Sequence, residues 1–193
     1  MMKNEKFISI IFKSEPKESN VMMLIDFLKG LIGNYINPVF KDRVLTVFFD
    51  AACDVSFEEI ILSLNEDFYI TSLLFESGEL YSNIDKEEYL KLILDNSDAL
   101  LATNKHYLRE ADLIKNRIYN EIVVKNILKN YFEDFEMKNI VKTYLECNMN
   151  ISKESNVLYM HRNTLMYKID NFISVTGYDI KKFQDAFIIY HII

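Results

Sequence analysis

Apolar positions along this chain follow two periods, and the period changes mark the elements. Phe7 to Lys13 (Phe-Ile-Ser-Ile-Ile-Phe-Lys) is rich in β-branched and aromatic residues and predicts a buried strand. A polar break from Ser14 to Asn20 follows, with Asn20 as the expected helix cap. Val21, Leu24, Ile25, Leu28, Leu31 and Ile32 then fall at helical spacing, and Gly33-Asn34 predicts the stop. Asn37-Pro38 reads as a turn, and Arg43 to Phe49 as a second strand. Ser56 three residues before Glu59 has the capping-box spacing and predicts a helix over 56–65. Tyr69 to Phe75 reads as a third strand, Leu80 to Asn83 fits a short fourth, and Asp85 predicts the cap of a helix ending near Leu94. Strands mixed with helices predict an α+β sandwich, a sheet with helices on one face, over residues 1–103.

The pattern then becomes helical only. From Asn104 to Phe132, Leu108, Ala111, Ile114, Ile118, Ile122, Ile127, Leu128 and Tyr131 fall near one stripe, which predicts a linker helix within 104–135. It fits a helix packed on its own sheet or a dimerisation helix equally well. Residues 136–193 carry no strand signal and predict an all-α domain. Met137–Cys147 is amphipathic, with Asn148 and Asn150 as the helix end and a new cap. Ile151–Leu158 reads as a short helix. A longer helix runs from His161 to Thr176, with Leu165, Ile169, Phe172 and Ile173 on its apolar face, and stops at Gly177. An apolar helix over Asp185–Ile193 ends the sequence, read as a last core helix rather than an exposed interaction surface.

Composition narrows the function classes. Of 193 residues, only 4 are Gly and 2 are Pro, which argues against a Gly-rich phosphate loop and against Pro-rich or collagen-like architecture. No apolar run is long enough for a membrane span, and Met1 to Phe12 lacks the apolar length and cleavage site of a signal peptide, so a cytoplasmic protein is expected. Cys53 and Cys147 have no Cys-x-x-Cys partner, and the three histidines are scattered, so neither a disulfide scaffold nor a metal site is expected. No nucleophile–base set appears, and the carboxylate pairs Glu58-Glu59 and Asp85 to Glu88 suit first turns of helices. The expectation is a non-enzyme without cofactors. The net charge of −7 is uneven: residues 136–193 hold seven basic and six acidic side chains, while residues 1–135 hold 15 and 23. An acidic part precedes a near-neutral one, and the two suit different partners.

The near-neutral part carries the chemistry. A short helix, a tight turn and a second helix with a polar N-terminal end is the helix-turn-helix plan. Leu165, Ile169 and Phe172 would seat the second helix on the first, which Ser155 is small enough to approach closely. The first turn, His161-Arg162-Asn163-Thr164, would then face the major groove. Arg pairs bidentately with guanine and Asn with adenine, and a hydroxyl or backbone N–H at the positive helix end holds phosphate.

The run from Asn150 to Ile169 resembles the C-terminal helix-turn-helix of the PucR/CdaR family of bacterial transcription regulators, whose motif is close to N-x-S-x-T-A-x-x-L-x-x-H-R-N-T-L-x-Y-R-L followed by L-T-G-x-D. Asn150, Ser152, Leu158, His161, Arg162, Asn163, Thr164, Leu165 and Tyr167 match, and Val175-Thr176-Gly177-Tyr178-Asp179 lies in the right place. Three positions depart: Met166 stands where the family usually has Arg at the variable position before the Tyr, Lys168 where it has Arg, and Ser155 where it has Ala. Losing an Arg weakens the phosphate contribution, and Lys168 keeps the charge without the bidentate fork. The resemblance implies a homodimeric regulator bound to double-stranded DNA. Arg162 and Asn163 would contact bases, while Ser152, Lys153, Thr164, Tyr167 and Lys168 contact or position the backbone and His161 opens the helix. It leaves room for a small-molecule or protein effector, with no membrane partner. Many members carry a divergent GGDEF-like α+β domain upstream. The element order here is compatible with one, but no Gly-Gly-Asp-Glu-Phe motif is present and cyclase activity is not implied. The competing expectation is an interaction protein that uses a degenerate helix-turn-helix as a protein-binding surface.

Overall fold

The computed structural model describes residues 4–33 and 37–193, so the predicted stop residue Asn34 lies outside the described residues. Two compact units divide the chain, Met1–Asn126 and Ile127–Ile193. The first runs β1 (Glu5–Phe12), α1 (Glu18–Ile32), β2 (Asn37–Lys41), β3 (Val44–Asp50), α2 (Phe57–Asp67), β4 (Ser72–Glu76), α3 (Lys86–Asp95), α4 (Ser97–Leu101), β5 (Tyr107–Arg109), α5 (Glu110–Lys115) and α6 (Glu121–Leu128), the last of which runs across the division. The strands form one sheet in the order β2-β3-β1-β4-β5. β1 is central and antiparallel to both β3 and β4, β2 is antiparallel to β3, and β5 is parallel to β4.

Alternation along β1 sends its side chains to two covered faces. Ile8, Ile10 and Phe12 pack with Val21, Leu24 and Leu28 of α1 and Phe57, Ile61 and Leu64 of α2. Phe7 points the other way and meets Tyr89 of α3 edge-on, with ring centroids 5.1 Å apart. On the same strands Ser9 and Thr46 satisfy each other through a buried hydroxyl pair at 2.8 Å. The α+β class is as expected, but helices cover both faces instead of one. That explains why β1 is apolar on both faces from Phe7 to Phe12, with Ser9 as the one polar residue among them.

Several elements differ from the sequence reading for local reasons. Asn37-Pro38 is not the turn. It opens the edge strand β2, and the chain reverses at Asp42 and Arg43, both at left-handed φ (46° and 64°). Asn20 does not cap α1, which starts a turn earlier with Lys17 as N-cap, and its amide donates instead to the Phe68 carbonyl. Ser56 is the N-cap residue of α2 but makes no side-chain cap bond. Asp85 does cap α3, accepting from the Glu87 and Glu88 N–H groups. Leu80–Asn83 is not a strand; the sheet gains Tyr107–Arg109 instead. The expected linker helix over 104–135 is a series of short pieces, because Asn104, Arg117 and Lys129 take φ of 56°, 58° and 55° and interrupt any continuous helix. The end of α6 also closes a buried polar node of the first unit. Tyr89 Oη and Asn126 Nδ2 each donate to Glu110 Oε1 at 2.6 Å, and the Tyr81 N–H donates to Asn126 Oδ1.

The second unit is all helical. After a 3-10 turn at Lys129–Tyr131 come α7 (Phe135–Glu146), α8 (Ile151–Leu158), α9 (Arg162–Thr176) and α10 (Phe183–Ile192). Its core is drawn from every helix but α8: Met137, Ile140, Val141 and Tyr144 of α7, Leu165, Ile169 and Phe172 of α9, and Ala186, Ile188 and Ile189 of α10. Tyr131 packs its ring 5.3 Å from that of Phe172 and accepts a bond from the Asn171 amide. Phe187 and Tyr190 of α10 stay half exposed, while their neighbours in the same run are buried. Among the described residues no helix is long and apolar enough to cross a membrane.

Candidate nucleic-acid interface

Capping chemistry fixes both ends of the α8–α9 pair. Asn150 Oδ1 accepts from the Ser152 and Lys153 N–H groups and starts α8. α8 ends at Tyr159, which takes a left-handed conformation (φ 51°, ψ 36°). The turn is tied by Ser155: its carbonyl accepts from the Met160 N–H, and its hydroxyl donates to the Met160 carbonyl at 2.6 Å. Ser155 therefore does more than leave space, since an Ala there could not make the second bond. His161 is the N-cap of α9, and its Nδ1 accepts from the Asn163 N–H at 3.2 Å. The histidine thus serves the helix start while remaining exposed.

Burial of Leu165, Ile169 and Phe172, each worth about 1.5–3 kcal/mol, orients α9. Its other face is thereby presented to solvent. His161, Arg162, Asn163 and Thr164 are all exposed, and so is Tyr167 one turn on, at 73%. Ser152 and Lys153 are exposed at the start of α8. Lys168 differs from the rest: it is half buried and its Nζ lies 3.0 Å from Glu136 Oε1 of α7. Its charge is engaged within the unit. Met166 is 43% exposed. Tyr159, for which no role was expected, is 96% exposed between the two helices. A left-handed tyrosine leaves no periodic trace, so no sequence signal marked it.

Downstream, Thr-Gly-x-Asp builds the corner that leads into α10. Thr176 Oγ1 donates to the Phe172 carbonyl and accepts from the Tyr178 N–H. Gly177 ends α9 at φ 76°, a conformation that a side chain would strain. Asp179 accepts from the Lys181 N–H, while its own N–H donates to Asp185 of α10. Nearby, Lys181 pairs with Asp170 at 2.7 Å, and that bond raises the lysine above its ordinary value. Burial pushes the phenols of Tyr131 and Tyr144 up. One charge is out of keeping with this unit: Glu154 of α8 is fully buried, and burial pushes its carboxyl up to about 7.

Three packed helices with an exposed polar turn at the start of the last define a helix-turn-helix domain. Residues 138–191 match the PucR C-terminal helix-turn-helix domain, as the motif from Asn150 to Asp179 led one to expect. The uncharacterized protein YxkF of Bacillus subtilis (strain 168) is 39% identical over 57 residues, which are 30% of this chain and 19% of that protein. The match thus covers less than a fifth of that relative's length. A crystal structure described as a regulator of polyketide synthase expression from Bifidobacterium adolescentis has the same fold. Its TM-score is 0.52 at 15% identity, over 100% of this chain and 80% of that one.

Proposed function

We propose that the chain is a sequence-specific transcriptional regulator that reads the DNA major groove with α9 and acts as a homodimer on paired half-sites. One observation carries the reading. The contiguous polar turn His161–Thr164 is exposed at the N-terminus of a helix whose opposite face is locked into the core, within the stretch that matches the PucR domain. Arg162 and Asn163 contact base edges, as their forked donors and paired amide groups suit guanine and adenine. Thr164, Tyr167, Ser152 and Lys153 hold the phosphate backbone, His161 sets the helix start, and Lys168 joins once it releases Glu136. The name of the Bifidobacterium neighbour, a regulator of expression, supports the same class. The first unit would then hold the two copies together or receive a small-molecule or protein effector. The protein needs no cofactor and performs no catalysis in this role, which belongs in the cytoplasm of a bacterium.

The test is selection of genomic fragments by the purified chain, with Arg162→Ala/Asn163→Ala as control. Fragments enriched by the native protein alone, sharing a paired motif and lost steeply with salt, are expected. No enrichment over the variant at low salt sinks direct DNA reading. The exposed Val157, Tyr159, Met166 and Tyr167 would then favour a partner-binding surface.

A further inference from the structure

Glu154 sits in the first turns of α8 with none of its surface exposed, and neither carboxylate oxygen has a hydrogen-bond partner. A buried ionised carboxylate without partners is costly, so a carboxyl in such a place either neutralises or forces its surroundings open. α8 packs against α7 and α9, and their charged groups are occupied elsewhere. On α7, Glu136 is paired with Lys168, Lys138 lies over the Phe132 ring, Lys142 is exposed, and Glu146 accepts from Tyr190. Cys147, at the end of α7, is a free thiol. On α9, Arg162 and Tyr167 are exposed and Asp170 is paired with Lys181. Tyr144 of α7 lies near enough to feel Glu154: burial raises its phenol most, and a charge on Glu154 adds to the rise. A phenol at neutral pH brings no positive charge to balance a carboxylate.

We propose that Glu154 is a proton-binding switch in the helix-turn-helix unit: its carboxyl is neutral while α8 is seated between α7 and α9, and loss of that proton loosens the seat and releases DNA. The second half rests on the DNA reading above. Burial, with no opposing charge, holds the group at about 7 instead of near its ordinary 4.5. The folded value is raised, so the stabilisation is fully present below the ordinary carboxylate range and is lost as pH rises through about 7. Phosphates brought up to the same unit add negative potential, which favours the neutral form further, so DNA binding draws in a proton.

The test uses the full chain, Glu154→Gln and Glu154→Thr. Hydrogen-exchange protection of peptides from 151–176 reports the unit's own stability without DNA. Between pH 6 and pH 8 the native protein is expected to lose about tenfold in protection, and both variants less than twofold. Affinity for a fragment from the genomic selection should fall by a similar factor in the native protein only. A carbon-13 titration of the Glu154 carboxyl gives its midpoint directly, and a midpoint near 4.5 overturns the proposal whatever the variants do. Equal pH dependence in native and variant proteins overturns it as well. If the protection follows the expected pattern but no form binds DNA, the DNA reading fails and the proton switch in the fold stands.

Discussion

Two glycines illustrate how differently one atom can weigh. Gly177 has open space around it, so a Cβ there meets nothing within 4 Å, and the only cost of Gly177→Ala is its φ of 76°. That strain is about 1–2 kcal/mol. Gly78 is the opposite case. Its Cβ would come within 2.5 Å of Glu110 Oε2, and that carboxyl cannot swing aside without giving up its bonds from Tyr89 and Asn126. Losing hydrogen bonds to a buried carboxyl adds about 1.5–3 kcal/mol. Gly78→Ala should therefore cost more than Gly177→Ala, and each loss should appear only in its own unit. Urea unfolding followed by hydrogen exchange of peptides from residues 72–126 and 162–193 measures both. Equal losses at the two sites would mean that the Glu110 node is looser than its geometry implies.

At the scale of elements, the ion pair between α7 and α9 decides how many free cations α9 would offer to DNA in the proposed role. Lys168 is held 3.0 Å from Glu136, on side chains 31% and 68% exposed, so the bond itself contributes little to stability, about 0–1 kcal/mol. In the proposed role its cost would fall on the DNA side, because a phosphate would have to compete with Glu136 for the same ammonium. Glu136→Gln should leave the unfolding of the second unit nearly unchanged, tighten DNA binding a few-fold at low salt, and steepen the salt slope by up to ~1. Fluorescence anisotropy across a salt series measures this; an unchanged slope would place Lys168 away from the backbone. The elements that carry this argument were legible in the sequence because their signals are local. Asn150, His161 and Gly177 mark ends, and Leu165, Ile169 and Phe172 mark a face. What was not legible depends on partners far along the chain. β5 has three residues and exists only because β4 lies beside it, with Leu74 opposite Tyr107. β2 was hidden because Asn-Pro is common in turns, whereas here Pro38 pairs with Val47 at a sheet edge, where a missing N–H is tolerated. The stripe over 104–132 has helical spacing, and nothing in that spacing reveals that Asn104, Arg117 and Lys129 take left-handed φ. Glu154 was illegible for a related reason: in a helix of polar residues it looks solvated, and only the packing of α7 and α9 around it shows otherwise.

On the scale of the whole molecule, charge limits what one copy can do. The acidic surplus belongs to the first unit, and residues 127–193 hold eight basic and eight acidic side chains, a net of zero. A neutral module has little long-range attraction for a polyanion, and in the proposed role its grip would rest on a few placed groups such as Lys153, Arg162 and Lys168. Two copies on adjacent half-sites, as proposed, would overcome that weakness, since the second contact would form at the high effective concentration set by the first. The geometry of DNA then becomes the test. Half-sites one turn apart, 34–36 Å or 10–10.5 base pairs, face the same side of the duplex. Inserting five base pairs between them turns one half-site to the far side, and the affinity should drop by about tenfold or more. Inserting a whole turn restores the common face, so it should cost less than the half-turn insertion. Anisotropy on three versions of one selected fragment, at a single salt concentration, provides the comparison. A dimer predicts this alternation with helical phase. A lone helix-turn-helix predicts three equal affinities, and in that case the specificity would have to come from Arg162 and Asn163 on a single site.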